Sequence, residues 1–191
     1  MMQLEFRKST TEDIVAMAQI AGDGKAFLKR CGVSQWQKGP YPSADDFAQD
    51  VVRGIGHVMT EAGQVLAVCA VTFDDEPAYR GLFGGSWLTP PGTRYATIHR
   101  CAVAAGCRGR GVIGHLFDAV SELAAKEGAL SIRIDTHPDN LAMQSALRKA
   151  GFTRCGELIL VSGYEEGDLR LGYERKLPTP QPLKEGSGVR Q

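Results

Sequence analysis

The stretch Arg108-Gly109-Arg110-Gly111-Val112-Ile113-Gly114 carries the most explicit chemistry in the chain, two guanidiniums interleaved with glycines where helical spacing begins. The first amides of a helix have no partners within it, and the aligned peptide dipoles put partial positive charge at that end. Glycine lets backbone approach a ligand closely, and arginine presents a planar fork matched to phosphate oxygens. This combination is an anion seat, and two adjacent cations suit a pyrophosphate. A second set, His99, His137 and Asp135, offers acid–base chemistry. Histidine titrates near neutrality and can take a proton from an attacking amine, while Asp135 can orient a base or bind a substrate. Structural roles compete with each of these. His99 can be hydrogen-bonded in a core, and Asp135 or His137 can fix the turn into the helix that Asn140 would cap.

These groups need elements to hold them. Ala96 to Val103 is β-branched and apolar, a buried strand leading into the glycine turn. From Val112 the apolar positions Ile113, Leu116, Phe117, Val120 and Leu123 fall on one helical face. Strand 129–135 follows, then a helix over 140–150 ended by Gly151, then a hairpin of strands 153–161 and 169–177. Upstream, Leu4 to Arg7 reads as a strand, and Ser9-Thr10-Thr11-Glu12-Asp13 as the capped start of a helix. Gly22-Asp23-Gly24 is expected to break that helix before a second piece, 25–31. Ser43 and Asp46 cap a helix over 44–52, and strands 57–61 and 64–73 turn about Ala62-Gly63. Two irregular segments, 33–42 and 74–91, hold Trp36, Tyr41, Tyr79 and Trp87 and are expected to wall a pocket. Arg100 alternates with His99 and is expected in a buried ion pair. The tail, 178–191, rich in proline, glycine and charge, is expected to lack order.

Gly109, Gly111 and Gly114 also spell the dinucleotide fingerprint GxGxxG, with Asp135 as a ribose-binding acid. Against it, Ala104 to Arg108 separate the strand from the first glycine, and the motif lies a hundred residues into the chain. A zinc site of His99, His137 and Asp135 matches no ligand spacing, and no base adjoins Cys101 or Cys155 to make either an acyl-carrying nucleophile. Lysine plus arginine equals aspartate plus glutamate at 22 each, so no net field recruits nucleic acid or an anionic membrane. Five cysteines without metal-like spacing, no apolar leader and no run long enough to span a bilayer suit a soluble, reduced, cytoplasmic protein. At 191 residues and 43% hydrophobic content, one domain is expected over 1–177.

Arg108-Gly109-Arg110-Gly111-Val112-Ile113 resembles the R/Q-x-x-G-x-G/A cofactor loop of the GNAT superfamily of N-acetyltransferases. Asp135-Thr136-His137-Pro138-Asp139-Asn140 followed by Met143, Leu147 and Lys149-Ala150-Gly151-Phe152 is similar to its strand, N-x-x-A helix and K-x-G-F ending. The resemblance runs from Leu4 to Leu177 and implies a mixed α+β sheet, helices on both faces, with two splayed parallel central strands receiving acetyl-CoA. It implies that backbone at Cys101, Ala102 and Val103 holds the pantetheine arm, that Asn140 touches it, and that Arg108, Gly109, Arg110, Gly111, Val112, Ile113 and Gly114 hold the pyrophosphate. The implied activity is direct acetyl transfer in a ternary complex to a small-molecule or peptide amine, and homodimers are common in the family. Ile113 departs from the expected small residue, and Leu147 stands where many members carry a tyrosine acid. A non-catalytic acyl-CoA-binding module is the alternative.

Overall fold

Val65 to Val71 is apolar at every position, as a strand covered on both faces must be, and it lies inside a seven-stranded sheet. The computed structural model describes residues 3–178, so the tail from position 179 onward lies outside the described residues. The strands are β1 (Leu4–Lys8), β2 (Gly56–Glu61), β3 (Gln64–Thr72), β4 (Tyr95–Val103), β5 (Ser131–Thr136), β6 (Thr153–Ile159) and β7 (Leu169–Lys176), in the order β1-β2-β3-β4-β5-β7-β6. Among these described strands only β4 and β5 run parallel. The β2–β3 hairpin closes through Ala62 and Gly63, both at positive φ as a tight twisted hairpin turn requires.

Helices α1 (Ile14–Arg30) and α2 (Ala44–Arg53) cover one face, packing Met17, Ile20 and Phe47 on Val58 and Val68. Helices α3 (Val112–Lys126) and α4 (Leu141–Lys149) cover the other, where Leu116, Phe117 and Leu147 meet Ala67, Cys69 and Ile132. Successive β3 residues thus feed opposite cores, as the period of two demands. The α+β fold with helices on both faces is as expected. The break at Gly22–Gly24 does not occur, because α1 runs through it unbroken. An interior glycine costs about 1 kcal/mol, which the tertiary packing of the helix absorbs. A Cβ added at Gly24 would make only an ordinary contact, 3.4 Å from the Trp36 ring.

The long connection 73–94 is held by a buried polar knot. Glu174, fully buried, accepts the backbone N–H groups of Leu88 and Thr89, the hydroxyl of Ser131 and the guanidinium of Arg133 at 3.0 Å. Burial alone would raise this carboxyl, but those hydrogen bonds outweigh it and hold it below the ordinary range. Arg133 lies between the rings of Trp87 and Tyr95, 4.3 and 3.9 Å from their centroids. Among the described residues no helix is long and apolar enough to cross a membrane.

Candidate active site

The parallel pairing of β4 with β5 ends at Thr97↔Arg133. Beyond it the strands part, and the cause lies on the other edge of β4. Val68 pairs Ala102 while Ala70 pairs His99, so β4 carries one extra residue there. This is a β-bulge, with Arg100 at φ 51°, and it bends the strand away. Two cavities open where the sheet splits, and they share Gln35, Trp36, Cys101 and Met143 at their junction.

The larger, about 920 Å³, runs between the end of β4, the start of α3 and α4. Gly109 and Gly111 turn at φ 77° and 81°, and Gly111 opens α3. The amides of Gly114 and His115 return to the Gly111 carbonyl, while those of Val112 and Ile113 have no intrahelical acceptor. Cys101, Ala102, Val103, Arg108, Gly109, Gly111, Val112, Ile113, Gly114 and Asn140 all line this groove. Arg108 is set by α1: it stacks over Phe27 at 4.6 Å and donates to the Asp23 carbonyl at 3.2 Å. Arg110 is not in the lining. Its guanidinium lies 3.8 Å from Glu61 and 3.7 Å from the Cys107 sulfur, because the turn alternates the two arginines between groove and sheet edge. Asn140 caps α4 through Oδ1 to the Met143 amide (3.1 Å) and also donates Nδ2 to Gln35 (2.9 Å), so cap and groove wall coincide in one residue. Lys149, the lysine of the K-x-G-F ending, and Arg175, which no local sequence signal reveals, add cationic lining. A glycine-lined cleft with open helix amides and three basic side chains fits the diphosphate of coenzyme A.

The smaller cavity, about 380 Å³, lies on the far side of the junction and is lined by His99 and Asp135 together with Glu76, Arg100, Glu165 and Arg170. Burial, with Arg100 and Arg53 nearby, pushes His99 down to about 4, so its imidazole is neutral at physiological pH. Its Nε2 is 3.3 Å from the Thr72 hydroxyl and 3.8 Å from Glu76. Burial raises Glu76 above the usual carboxylate range. Asp135 is pushed up to about 6 by burial, against the pull of Arg170 and of the Tyr79 hydroxyl, which donates to it at 3.0 Å. Arg100 does form the expected ion pair, with Asp50, but the bulge brings it into the same cavity as His99 rather than to the opposite side. Trp36 and Tyr41 line the cavity, whereas Tyr79 and Trp87 stand behind it.

His137 lines neither cavity. Its Nδ1 accepts the Asp139 amide at 3.1 Å and its Nε2 meets the Ser34 hydroxyl at 3.0 Å, so the expectation of a base facing the acceptor gives way to a role in the turn before α4. Leu147 is fully buried in the core and reaches neither cavity. Burial pushes the Cys101 thiol up to about 12, which removes it as a nucleophile. Glu76, Gln35 and Glu165 carry no signal in the sequence, since each reaches the site from an irregular segment with no motif of its own.

No curated protein matches the chain. Solved structures do. A GNAT-family acetyltransferase from Streptococcus agalactiae superposes with a TM-score of 0.82 at 28% identity, covering 94% of this chain and 99% of its own. The ribosomal-protein-alanine N-acetyltransferase of Brucella melitensis has a TM-score of 0.64 at 18% identity, over 91% and 99%. The Salmonella typhimurium protein yncA, solved with its cofactor acetyl-CoA, has a TM-score of 0.64 at 14% identity, over 92% and 94%. The sequence model of the acetyltransferase (GNAT) family matches residues 22–152, from α1 through the glycine turn to the end of α4, and the chain therefore belongs to that family of acetyl-CoA-dependent N-acetyltransferases.

Proposed function

We propose that this chain transfers the acetyl group of acetyl-CoA directly to a small primary amine, with both bound at once on either side of the β4–β5 split. The observation carrying this reading is the junction itself: a long cationic groove and a compact polar cavity meet at Cys101 and Met143. Acetyl-CoA, when bound, supplies the thioester carbonyl. The amides of Gly109, Gly111, Val112, Ile113 and Gly114 with Arg108 hold the diphosphate, and the edge of β4 from Cys101 to Val103, freed from β5, is available to the pantetheine arm. An aligned acceptor in the small cavity turns a bimolecular attack into a local one.

His99 is the proton acceptor in this proposal. It is neutral, lines the acceptor cavity, and has Glu76 within 3.8 Å to stabilise it once protonated. Asp135 orients the acceptor from the β5 side. His137 is left to the turn. The free cysteines, four of them buried, suit a reducing cytoplasm.

The test is thiol release from acetyl-CoA across an amine panel, run beside calorimetric titration of coenzyme A. Binding with thiol release on addition of an amine, reduced at least tenfold in His99→Ala, is the expected result. Tight coenzyme binding with no thiol release for any amine would instead make the chain a non-catalytic acyl-CoA-binding module.

A further inference from the structure

The acceptor cavity has a charge pattern that selects among amines. Four carboxylates line it, Asp46, Glu76, Asp135 and Glu165, against two guanidiniums, Arg100 and Arg170. Both guanidiniums are already charge-paired with carboxylates, although Arg170 Nη2 is buried without a hydrogen-bond partner among the described residues. Arg100 is held at two points by Asp50, at 2.6 and 2.7 Å. Arg170, only 1% exposed, is shared among Glu165 at 2.9 Å, Asp135 at 3.7 Å and Asp168 at 3.9 Å. His99 adds no charge near neutral pH. The cavity is therefore net negative inside walls that screen poorly, where fixed charge acts more strongly than at the surface.

Two further features point to a ligand. Thr136, 1% exposed, lines the cavity with a hydroxyl that has no hydrogen-bond partner among the described residues. Trp36, Tyr41 and Tyr164 line the same cavity, and aromatic rings attract ammonium groups through the ring quadrupole. The carboxylates come from different elements. Asp46 lies on α2, with Oδ2 taken by the Ser43 cap; Glu76 lies on the long connection; Glu165 lies between β6 and β7, bonded to the Trp36 amide. A single ammonium cannot satisfy acids distributed around the walls in this way.

Resting on the acetyl-transfer reading above, we propose that the acceptor is a small molecule carrying at least two amines, one placed at the junction beside His99 and a second, still protonated, held among the carboxylates. A volume of about 380 Å³ accommodates a short diamine or the end of a polyamine chain. The protonated second amine compensates charge that the cavity otherwise leaves unbalanced, and a carboxylate in its place would meet like charge.

The test compares 1,5-diaminopentane, pentylamine and 5-aminopentanoate, matched in length, by calorimetric titration into the full chain saturated with coenzyme A. The diamine is expected to bind at least tenfold more tightly than pentylamine, with 5-aminopentanoate weakest. The advantage should shrink in 0.5 M salt, and in Glu165→Gln and, separately, Asp46→Asn, so that the proposal does not hang on one variant folding. Equal affinities for diamine and monoamine, or preference for the aminocarboxylate, would overturn it. Thiol release in the same panel separates the two claims. Turnover without diamine preference defeats the acceptor class alone, and diamine preference without turnover defeats the transfer reading alone.

Discussion

Both oxygens of Asp50 on α2 meet the guanidinium of Arg100 at the β4 bulge, at 2.6 and 2.7 Å, and Tyr41 adds its hydroxyl 3.4 Å from the same group. Asp50 is nearly inaccessible, and burial raises its carboxyl even against the pull of Arg100. Desolvation thus exceeds pairing for the acid, so the pair is worth less as a net source of stability than as the clasp that holds a non-glycine residue at φ 51°. Removing one partner leaves the other charged and buried. Arg100→Ala should lower unfolding free energy by about 3–5 kcal/mol in urea titration. Arg100→Met with Asp50→Leu should recover part of it, and an equal loss in the double variant would refute this account.

His99 and Asp135 give opposite pH signatures across the split. His99 is lowered from 6.5 to about 4, so the unfolded chain binds its proton more readily. Its contribution to stability is complete above pH 6.5 and is lost as pH falls toward 4. Asp135 is raised from 3.8 to about 6, so the folded state keeps the proton, and its contribution is present below pH 3.8 and lost as pH rises through 6. Each amounts to roughly 3 kcal/mol, and between about pH 4 and 6 they largely cancel. Urea midpoints measured from about pH 4.5 to 7.5 should show His99→Gln losing stability relative to wild type as pH rises through that window. Asp135→Asn should gain over the same range. Variants with the pH dependence of wild type would refute both shifts.

What is legible in the sequence, and what is not, divides by the range of the interactions. The glycine turn and α3 are legible because an abrupt change to helical spacing after a β-branched run is a local signal. The Asn140 cap is legible for the same reason, and its side chain does cap while also meeting Gln35, 105 positions away. The bulge at Arg100 is not legible: it is a mismatch between strands, and no single strand contains it. The expected facing of Arg100 fails for this reason, since alternation holds only while pairing is regular. Gly22 and Gly24 mislead because tertiary packing overrides propensity. Glu76, Glu165 and Arg175 come to their cavities through topology alone.

The smaller cavity, where we propose that the acceptor binds, is bordered by two loops that lie far apart in the chain. Glu165 accepts the Trp36 amide, Lys38 pairs Asp168 at 2.5 Å, and Gly39 lies against the Tyr164 ring. A Cβ on Gly39 would lie 2.5 Å from Tyr164 Cδ1, and the residue sits at φ 63°. Gly39→Ala should therefore displace Tyr164 and raise the acceptor KM several-fold, while the coenzyme A dissociation constant stays within about twofold. Tyr164→Ala in the same chain removes the clash together with an aromatic wall of the cavity and leaves the backbone cost of about 1–2 kcal/mol, so no rescue of the acceptor KM is expected. An unchanged acceptor KM in Gly39→Ala would show that the loop contact does not shape the cavity.

Gly111 separates conformational strain from steric exclusion at the diphosphate seat. It opens α3 at φ 81°, yet a Cβ added there would meet nothing within 4 Å. The cost of Gly111→Ala is therefore conformational, about 1–2 kcal/mol for a side chain in the left-handed region. The chain can retain this geometry and lose that much stability, or relax the turn and move the Val112 and Ile113 amides out of register with the diphosphate. The first outcome lowers the melting midpoint with coenzyme A affinity intact; the second weakens binding by roughly tenfold. Because helix α3 is anchored by fully buried Leu116 and Phe117, the turn is the more compliant part, and the second outcome is expected by calorimetry. Gly106→Ala, in the same loop but at ordinary φ and with open space around its Cβ, should leave coenzyme A affinity within about twofold. Equal losses in the two variants would mean that the loop as a whole, and not the left-handed start of α3, sets the affinity.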